Sequence, residues 1–456
     1  MRFLRTKRLE RHWARHFEEN RSVWIAGKAP YVRAEALASD RTADVVIIGG
    51  GFTGVSTAYH LSKRFPEKGI ALVEAREIAN GASGRNGGQM LNWIHGFDPR
   101  SPEEAKRIYD ATREGIESVL GIVGEHGLRV SVRREGHLDV LTSARAADES
   151  EKALLAIQGS GAPLRFLSRK ELSEKIELDG VEGAVFDPGG GELDGLAYLR
   201  ALRPVLEARG VSIFEGTPAL RIREGRTIEV ETPVGTLRAP AAVLATNAYT
   251  PHLGYFRSGL VPLHSHVLAT EPLPRDEWAR RGWKSGANFI DDRSRIAYGT
   301  MTADGRVLFG GGSNTAYQYV YANGTRSEGP SDRAASDMRL RLLGYLPRLQ
   351  GISITHRWSG PVALTLSRLP TMGVRGVHRN LYFALGYSGH GITLSNLAGK
   401  VLTDLYSGSD ERWRGLPFYQ QKLRYVPPEP LRFLGYHAYT RLTGRSPRVY
   451  EKSKTL

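Results

Sequence analysis

Cysteine is absent from the sequence. That excludes disulfides, thiolate metal ligands, iron–sulfur clusters and a cysteine nucleophile, together with any tethering of a cofactor through sulfur. No run of about 18 apolar residues occurs, so no membrane-spanning helix is expected. The opening stretch, Met1 to His12, carries charge in every turn where a secretory signal needs an apolar segment, and cytoplasmic residence is the expectation. There is no internal repeat, and low complexity is confined to Pro427-Pro428-Glu429-Pro430.

What is there is ordinary globular material with an uneven charge. The chain has 456 residues, too many for one common core, which suggests two interlocked domains. A hydrophobic share of 41% and a charged share of 24% argue against disorder or a fibrous fold. Lysine and arginine number 63 against 48 acidic residues, and the excess gathers at the ends, with ten basic and two acidic residues from Arg412 to Leu456. Two solvated basic ends, or a peripheral membrane contact through the C-terminal one, both account for this. Nucleic acid is not an expected partner, because the basic residues are not interleaved with a stacking platform and match no nucleic-acid motif.

The first chemical signal follows a short apolar run, Ala43-Asp44-Val45-Val46-Ile47-Ile48, that reads as a strand buried on both faces. Gly49-Gly50-Gly51-Phe52-Thr53-Gly54 comes next, then a helical stretch over 55–64 and a second apolar run ending at Glu74 and Ala75. Gly49 permits a tight turn, Gly51 lets the backbone approach a pyrophosphate, and Gly54 lets helix and strand pack closely. The helix N-terminus supplies amide donors to phosphates, and Glu74, about twenty residues on, is placed to accept from a ribose diol and to repel a 2′-phosphate. The segment after it, residues 78–90, is rich in small residues that let the chain run beside a long ligand, while Ser83, Arg85 and Asn86 offer hydrogen bonds.

At this point the chain resembles a known family. Gly-Gly-Gly-Phe-Thr-Gly at 49–54, Gly-Ala-Ser-Gly-Arg-Asn-Gly-Gly-Gln at 81–89, Ala245-Thr246-Asn247-Ala248 and Gly386-Tyr387-Ser388-Gly389-His390-Gly391 look like the FAD-dependent D-amino-acid-oxidase-like (DAO) superfamily. Within it they are similar to γ-glutamylputrescine oxidase-type enzymes. The resemblance spans residues 44–407 and implies an α/β fold, in which a Rossmann-like FAD domain is interleaved with an α+β substrate domain on an antiparallel or mixed sheet. It implies an N-terminal arm (1–42), a discontinuous FAD domain (43–100, 185–250 and 352–410), a substrate domain (101–184 and 251–351) and a basic C-terminal extension (411–456).

The implied cofactor is FAD. Its contacts would be Gly49, Gly51, Phe52, Thr53, Gly54, Glu74 and Ala75; then Ser83, Gly84, Arg85, Asn86, Gly87, Gly88, Gln89 and Met90 along the phosphates and towards the flavin. Leu220, Thr246 and Asn247 would join them, with Gly386, Gly389, His390, Gly391, Ile392 and Thr393 at the pyrimidine end. A glycine turn feeding a helix near Ile392 aims amide donors at the flavin carbonyl. His390 reads equally as a core or capping histidine, with the turn favouring the flavin side. Relatives that attach flavin covalently use cysteine or histidine; this chain lacks the first and has Arg85 roughly where the second would stand, so the FAD is expected to be noncovalent.

For the substrate, Trp358-Ser359-Gly360 resembles the family's Trp-x-Gly segment but lacks the arginine that glycine-oxidase-like relatives place just after it to hold a carboxylate. Arg368 remains open as an anion contact or a solvated loop residue. His264 and His266 share one face of a strand by their period of two, and a packed or substrate-facing role suits them better than a metal, for which no further ligand set exists. Tyr387, His390 and Trp358 are the candidates nearest the flavin face. The reaction implied is oxidation of a primary or secondary amine by hydride transfer, with oxygen or another electron acceptor as the second partner. A dehydrogenase serving a quinone or carrier, and a non-catalytic flavin protein, are the rivals.

Overall fold

The structure is a computed structural model that describes residues 21–26, 30–94, 99, 101–157, 161–326 and 329–443. Residues 1–20 of the expected N-terminal arm and the last thirteen residues of the expected basic extension lie outside them.

Four apolar runs, Ile70–Val73, Val45–Ile48, Ala241–Leu244 and Leu381–Leu385, are buried along their whole lengths. That is the signature of strands covered on both faces, and they form the centre of a six-stranded sheet. Ser212–Phe214 extends the sheet on one side, and Thr371–Arg375 closes it on the other as its one antiparallel strand. The helices Phe52–Arg64 and Gly391–Ser407 pack together against this sheet, each entering it directly from a strand. Helix Pro102–Glu125 starts on the Ser101 N-cap, whose hydroxyl accepts from Glu104 N, and packs on the outer side of Gly391–Ser407.

The second layer is a nine-stranded mixed sheet. Its spine is the long antiparallel pair Val261–Thr270 and Ile354–Leu364, in register from Val261 opposite Leu364 to Ala269 opposite His356. This corrects the expected return to the FAD side at residue 352. Leu364 is the end of a strand whose ladder partner lies in the large sheet, and the chain crosses back only at Thr371. Likewise Gly183–Asp187 pairs within the large sheet, so the expected boundary at 185 falls inside a strand. Trp278, Trp283, Phe289 and Tyr345 fill the core beneath this sheet.

Between the two sheets Gly191–Leu193 pairs with both Gln89–Met90 and Val132–Arg133. Glu192 at its centre is only 2% exposed; its Oε2 accepts from Arg133 Nε at 3.1 Å and from Ser131 Oγ at 3.3 Å, and its Oε1 has no hydrogen-bond partner among the described residues. Burial pushes its carboxyl up to about 7, against the pull of Arg133. The folded state therefore holds this proton more tightly than the unfolded chain, and the stabilisation is complete below the ordinary carboxyl range and lost as pH rises through about 7. In urea melts at stepped pH, Glu192→Gln should remove a loss of stability on the order of 2–3 kcal/mol that the parent shows between mildly acid and neutral pH. Parallel profiles for the two proteins would refute this.

Candidate active site

A cavity of about 750 Å³ runs between the two sheets, from Glu74 at one end to Tyr436 and Tyr439 at the other. Its first part is built by the glycine turn. Gly49 adopts φ +113°, and a Cβ on Gly54 would stand 1.9 Å from the Gly49 carbonyl, so helix and strand meet only because no side chain intervenes. The first turn of helix Phe52–Arg64 contains no acidic residue, leaving its amides and dipole to an anion. A Cβ on Gly51 would lie 2.8 Å from Ser83 Oγ, and that hydroxyl accepts from Phe52 N at 3.1 Å. Glu74 accepts from Gly50 N at 2.7 Å and Arg76 N at 3.0 Å; burial raises its pKa while those amides draw it back.

The middle wall is the loop after Gly81. Trp358 Nε1 donates to the Arg85 carbonyl at 2.9 Å, Trp24 Nε1 to the Asn86 carbonyl at 2.8 Å, and the Gln89 amide to the carbonyls of Phe289 and Gly299 at 3.1 Å each. At the far end Gly386, Ser388 and Gly389 all have positive φ, a tight turn that delivers His390 as the N-cap of helix Gly391–Ser407. That helix also begins without an acidic residue or a side-chain cap, and Gly391 and Ile392 line the cavity. Asn247 Oδ1 accepts from Gly386 N at 2.9 Å, and the Tyr387 hydroxyl meets Thr53 Oγ1 at 2.7 Å, so the turn is tied to both the Thr246-Asn247 loop and the phosphate helix. Burial raises the Tyr387 phenol well above its ordinary value.

Gly49, Gly51, Phe52, Thr53, Glu74 and Ala75 line the cavity, as do Ser83, Arg85, Asn86, Gly87 and Gln89. Thr246, Asn247, Arg368, Tyr387, Gly389, His390, Gly391 and Ile392 complete the expected residues on its wall. Others stand behind it. Gly84 accepts the Ser22 hydroxyl, Thr393 Oγ1 accepts from Leu91 N, Met90 is fully buried, and Gly54, Gly88, Leu220 and Gly386 hold the backbone that shapes the wall.

Two placements differ from the sequence reading for physical reasons. Val261, Leu263, Ser265 and Val267 line the cavity, so the alternation of the strand turns His264 and His266 to its opposite face. There burial pushes His266 down to about 4, and a substrate contact is not available to it. Trp358 is likewise fully buried beneath Arg85 and off the cavity wall, where its indole positions the loop.

The residues missed by sequence are Arg295, Tyr298, Tyr317, Arg432, Tyr436 and Tyr439. The last three belong to a helix, Leu431–Thr443, within the extension expected to be solvated. Their spacing of four and three residues places them on one helical face, a signal that was legible beside Pro427–Pro430. Arg432 anchors this helix by donating to Asn323 Oδ1 at 2.6 Å and to the carbonyls of Arg257 and Pro427.

The family model described as DAO, FAD dependent oxidoreductase, matches residues 44–405. The chain belongs to this family. It is 28% identical over 408 residues to the probable oxidoreductase OrdL of Haemophilus influenzae, covering 87% of this chain and 90% of that protein. It is 29% identical over 415 residues to the gamma-glutamylputrescine oxidoreductase of Escherichia coli, covering 88% and 93%. The fold is that of glycine oxidase from Geobacillus kaustophilus, at a TM-score of 0.71 and 22% identity over 85% of this chain and all of that one. As a DAO-family member the protein is an FAD-dependent oxidoreductase, and the cradle of helix amides, Glu74 and small residues fits that group.

Gly51→Val would drive a branched side chain into Ser83 at the pyrophosphate position, and purified variant should carry no flavin where the parent is yellow. Acid precipitation of the parent should release free FAD. Colour that stays with the precipitate would disprove a noncovalent site.

Proposed function

We propose that the protein oxidises the carbon–nitrogen bond of a primary or secondary amine by hydride transfer, giving an imine that hydrolyses to an aldehyde, with oxygen reduced to hydrogen peroxide. The observation that carries this reading is the charge of the cavity wall. Glu74 is its one carboxylate among the described residues, whereas Arg85, Arg295, Arg368 and Arg432 all line it.

Bound FAD supplies the hydride acceptor. The protein's share is to deliver the amine with its nitrogen lone pair free, since that lone pair stabilises the cation left as hydride departs. Nearby guanidinium groups disfavour an ammonium ion, so the site selects the neutral amine without a dedicated base. Tyr298 and Tyr317 stand on the same wall, and burial pushes Tyr298 up to about 12, keeping it a neutral donor and acceptor for the amine. Tyr387 and His390 fix the turn at the flavin end, and the helix Leu431–Thr443 covers the chamber against water.

No arginine follows Gly360, but Arg368, held at φ +62° on the cavity wall, makes no ion pair with a described carboxylate and acts on the Tyr317 phenol. The relatives named for an amine and for glycine leave both substrate types to be compared. No arginine after Gly360 stands ready to hold a carboxylate on the reacting carbon, and one lost charge-assisted contact costs about 1.5–3 kcal/mol. Under anaerobic stopped flow, γ-glutamyl and simple amines should therefore bleach the flavin about ten- to a hundredfold better than glycine, sarcosine or D-amino acids. Arg368→Ala should keep that order. Faster bleaching by amino acids that Arg368→Ala selectively removes would replace this reading with an amino-acid oxidase.

A further inference from the structure

The cavity opens beside an apolar rim. Twelve large apolar side chains stand exposed among the described residues, and six of them gather at this opening, each 51–73% exposed. Leu366, Leu431 and Tyr439 line the cavity while facing solvent, and Tyr425 precedes the cavity-lining Val426. Leu434 and Leu442 continue the outward stripe of Leu431, three and eleven residues along the same helix. The other side of this helix is engaged: Arg432 is buried among carbonyls, Phe433 N donates to Glu429 Oε2 at 3.0 Å, and the Phe433 ring meets Tyr321 edge-on. The outward stripe is thus not a misplaced core face. Clusters of this kind mark a surface that meets a partner.

The charges around the stripe indicate which partner. Lys422, Arg424 and Arg441 are exposed and form no ion pair among the described residues. In an isologous contact with a second copy, this basic rim would face itself and be repelled. An anionic lipid surface neutralises it and receives the leucines. No helix among the described residues is long and apolar enough to cross a membrane, so the contact is with the surface.

We propose that this rim docks the protein on an anionic membrane surface, with Leu434 and Leu442 entering the headgroup layer, the basic residues against lipid phosphates, and the cavity mouth turned towards the bilayer. The docking is independent of which amine reacts. Each basic side chain near such a surface strengthens binding about fivefold, and salt screens that gain.

The test is flotation of the full-length, flavin-loaded protein with vesicles of phosphatidylcholine alone and of phosphatidylcholine with phosphatidylglycerol. Binding should be confined to the anionic vesicles and weaken with salt. The pair Leu434→Glu/Leu442→Glu and, separately, the set Lys422→Glu/Arg424→Glu/Arg441→Glu should each lower partitioning by at least about tenfold, with flavin absorbance and melting temperature unchanged. Equal, weak flotation with both vesicle types, or binding that neither variant alters, overturns the proposal. Concentration-dependent dimers in sedimentation that the leucine variant abolishes, without vesicle binding, would assign the stripe to a second copy instead.

Discussion

A polypeptide loop runs between the two sheets, and the rest of the structure depends on that loop being satisfied where it lies. Residues 83–90 are buried or half-buried, so their backbone polar groups need partners inside the protein. The partners come from every side: Ser22 and Trp24 from the N-terminal arm, Trp358 from the large sheet, and Leu193 N, which donates to Gly88 O at 2.8 Å. Side chains of the loop itself complete the set, with Asn86 donating to Ser83 O and accepting from Gly88 N, and Gln89 bridging two strands of the nine-stranded sheet. Each bond contributes about 1 kcal/mol when made and costs about 1–3 kcal/mol when its partner is lost. The loop therefore fixes the distance between the sheets, and that distance is the width of the cavity.

The glycines of this region follow from the same constraint. A Cβ on Gly360 would stand 2.9 Å from the Arg85 Cβ, and one on Gly87 would stand 2.6 Å from the Tyr298 ring. Trp358-Ser359-Gly360 is thus a bed for the loop, with the indole holding a carbonyl and the glycine admitting a side chain. Trp358, a candidate for the flavin face in the sequence, is buried behind this loop and off the cavity wall.

What the sequence made legible were features with a short period or a fixed spacing. The glycine turn, the buried apolar strands, the Ser101 cap with Pro102 and the helix after Gly391 are all local, and each lies where local rules put it. The face of the strand Val261–Thr270 was half legible: a period of two puts His264 and His266 together, but which side meets the cavity is decided by the partner strand Ile354–Leu364 and by what packs behind it. The same non-local pairing carried residues 354–364 to the large sheet. The helix Leu431–Thr443 carried a periodic signal, but its basic residues read as a solvated tail, whereas Arg432 binds side-chain and backbone oxygens 109 and 175 residues away.

Catalytic residues were the least legible part, and the chemistry explains why. Drawing hydride from a carbon beside nitrogen needs an uncharged amine, and a field achieves that as well as a base does. One guanidinium at about 8 Å, with an effective dielectric near 20, raises the cost of an ammonium by about 2 kcal/mol, or about 1.5 pKa units. Arg295, Arg368 and Arg432 come from three separate elements, so no motif announces them, and none needs to touch the reacting atoms. Buried tyrosines that stay neutral add no negative charge to this wall, as a carboxylate in their place would. The same field penalises a second ammonium elsewhere on the substrate and favours a negative group far from the amine. On the proposed reading, selection of the substrate and deprotonation of its nitrogen have one physical source, the excess of positive charge on the cavity wall.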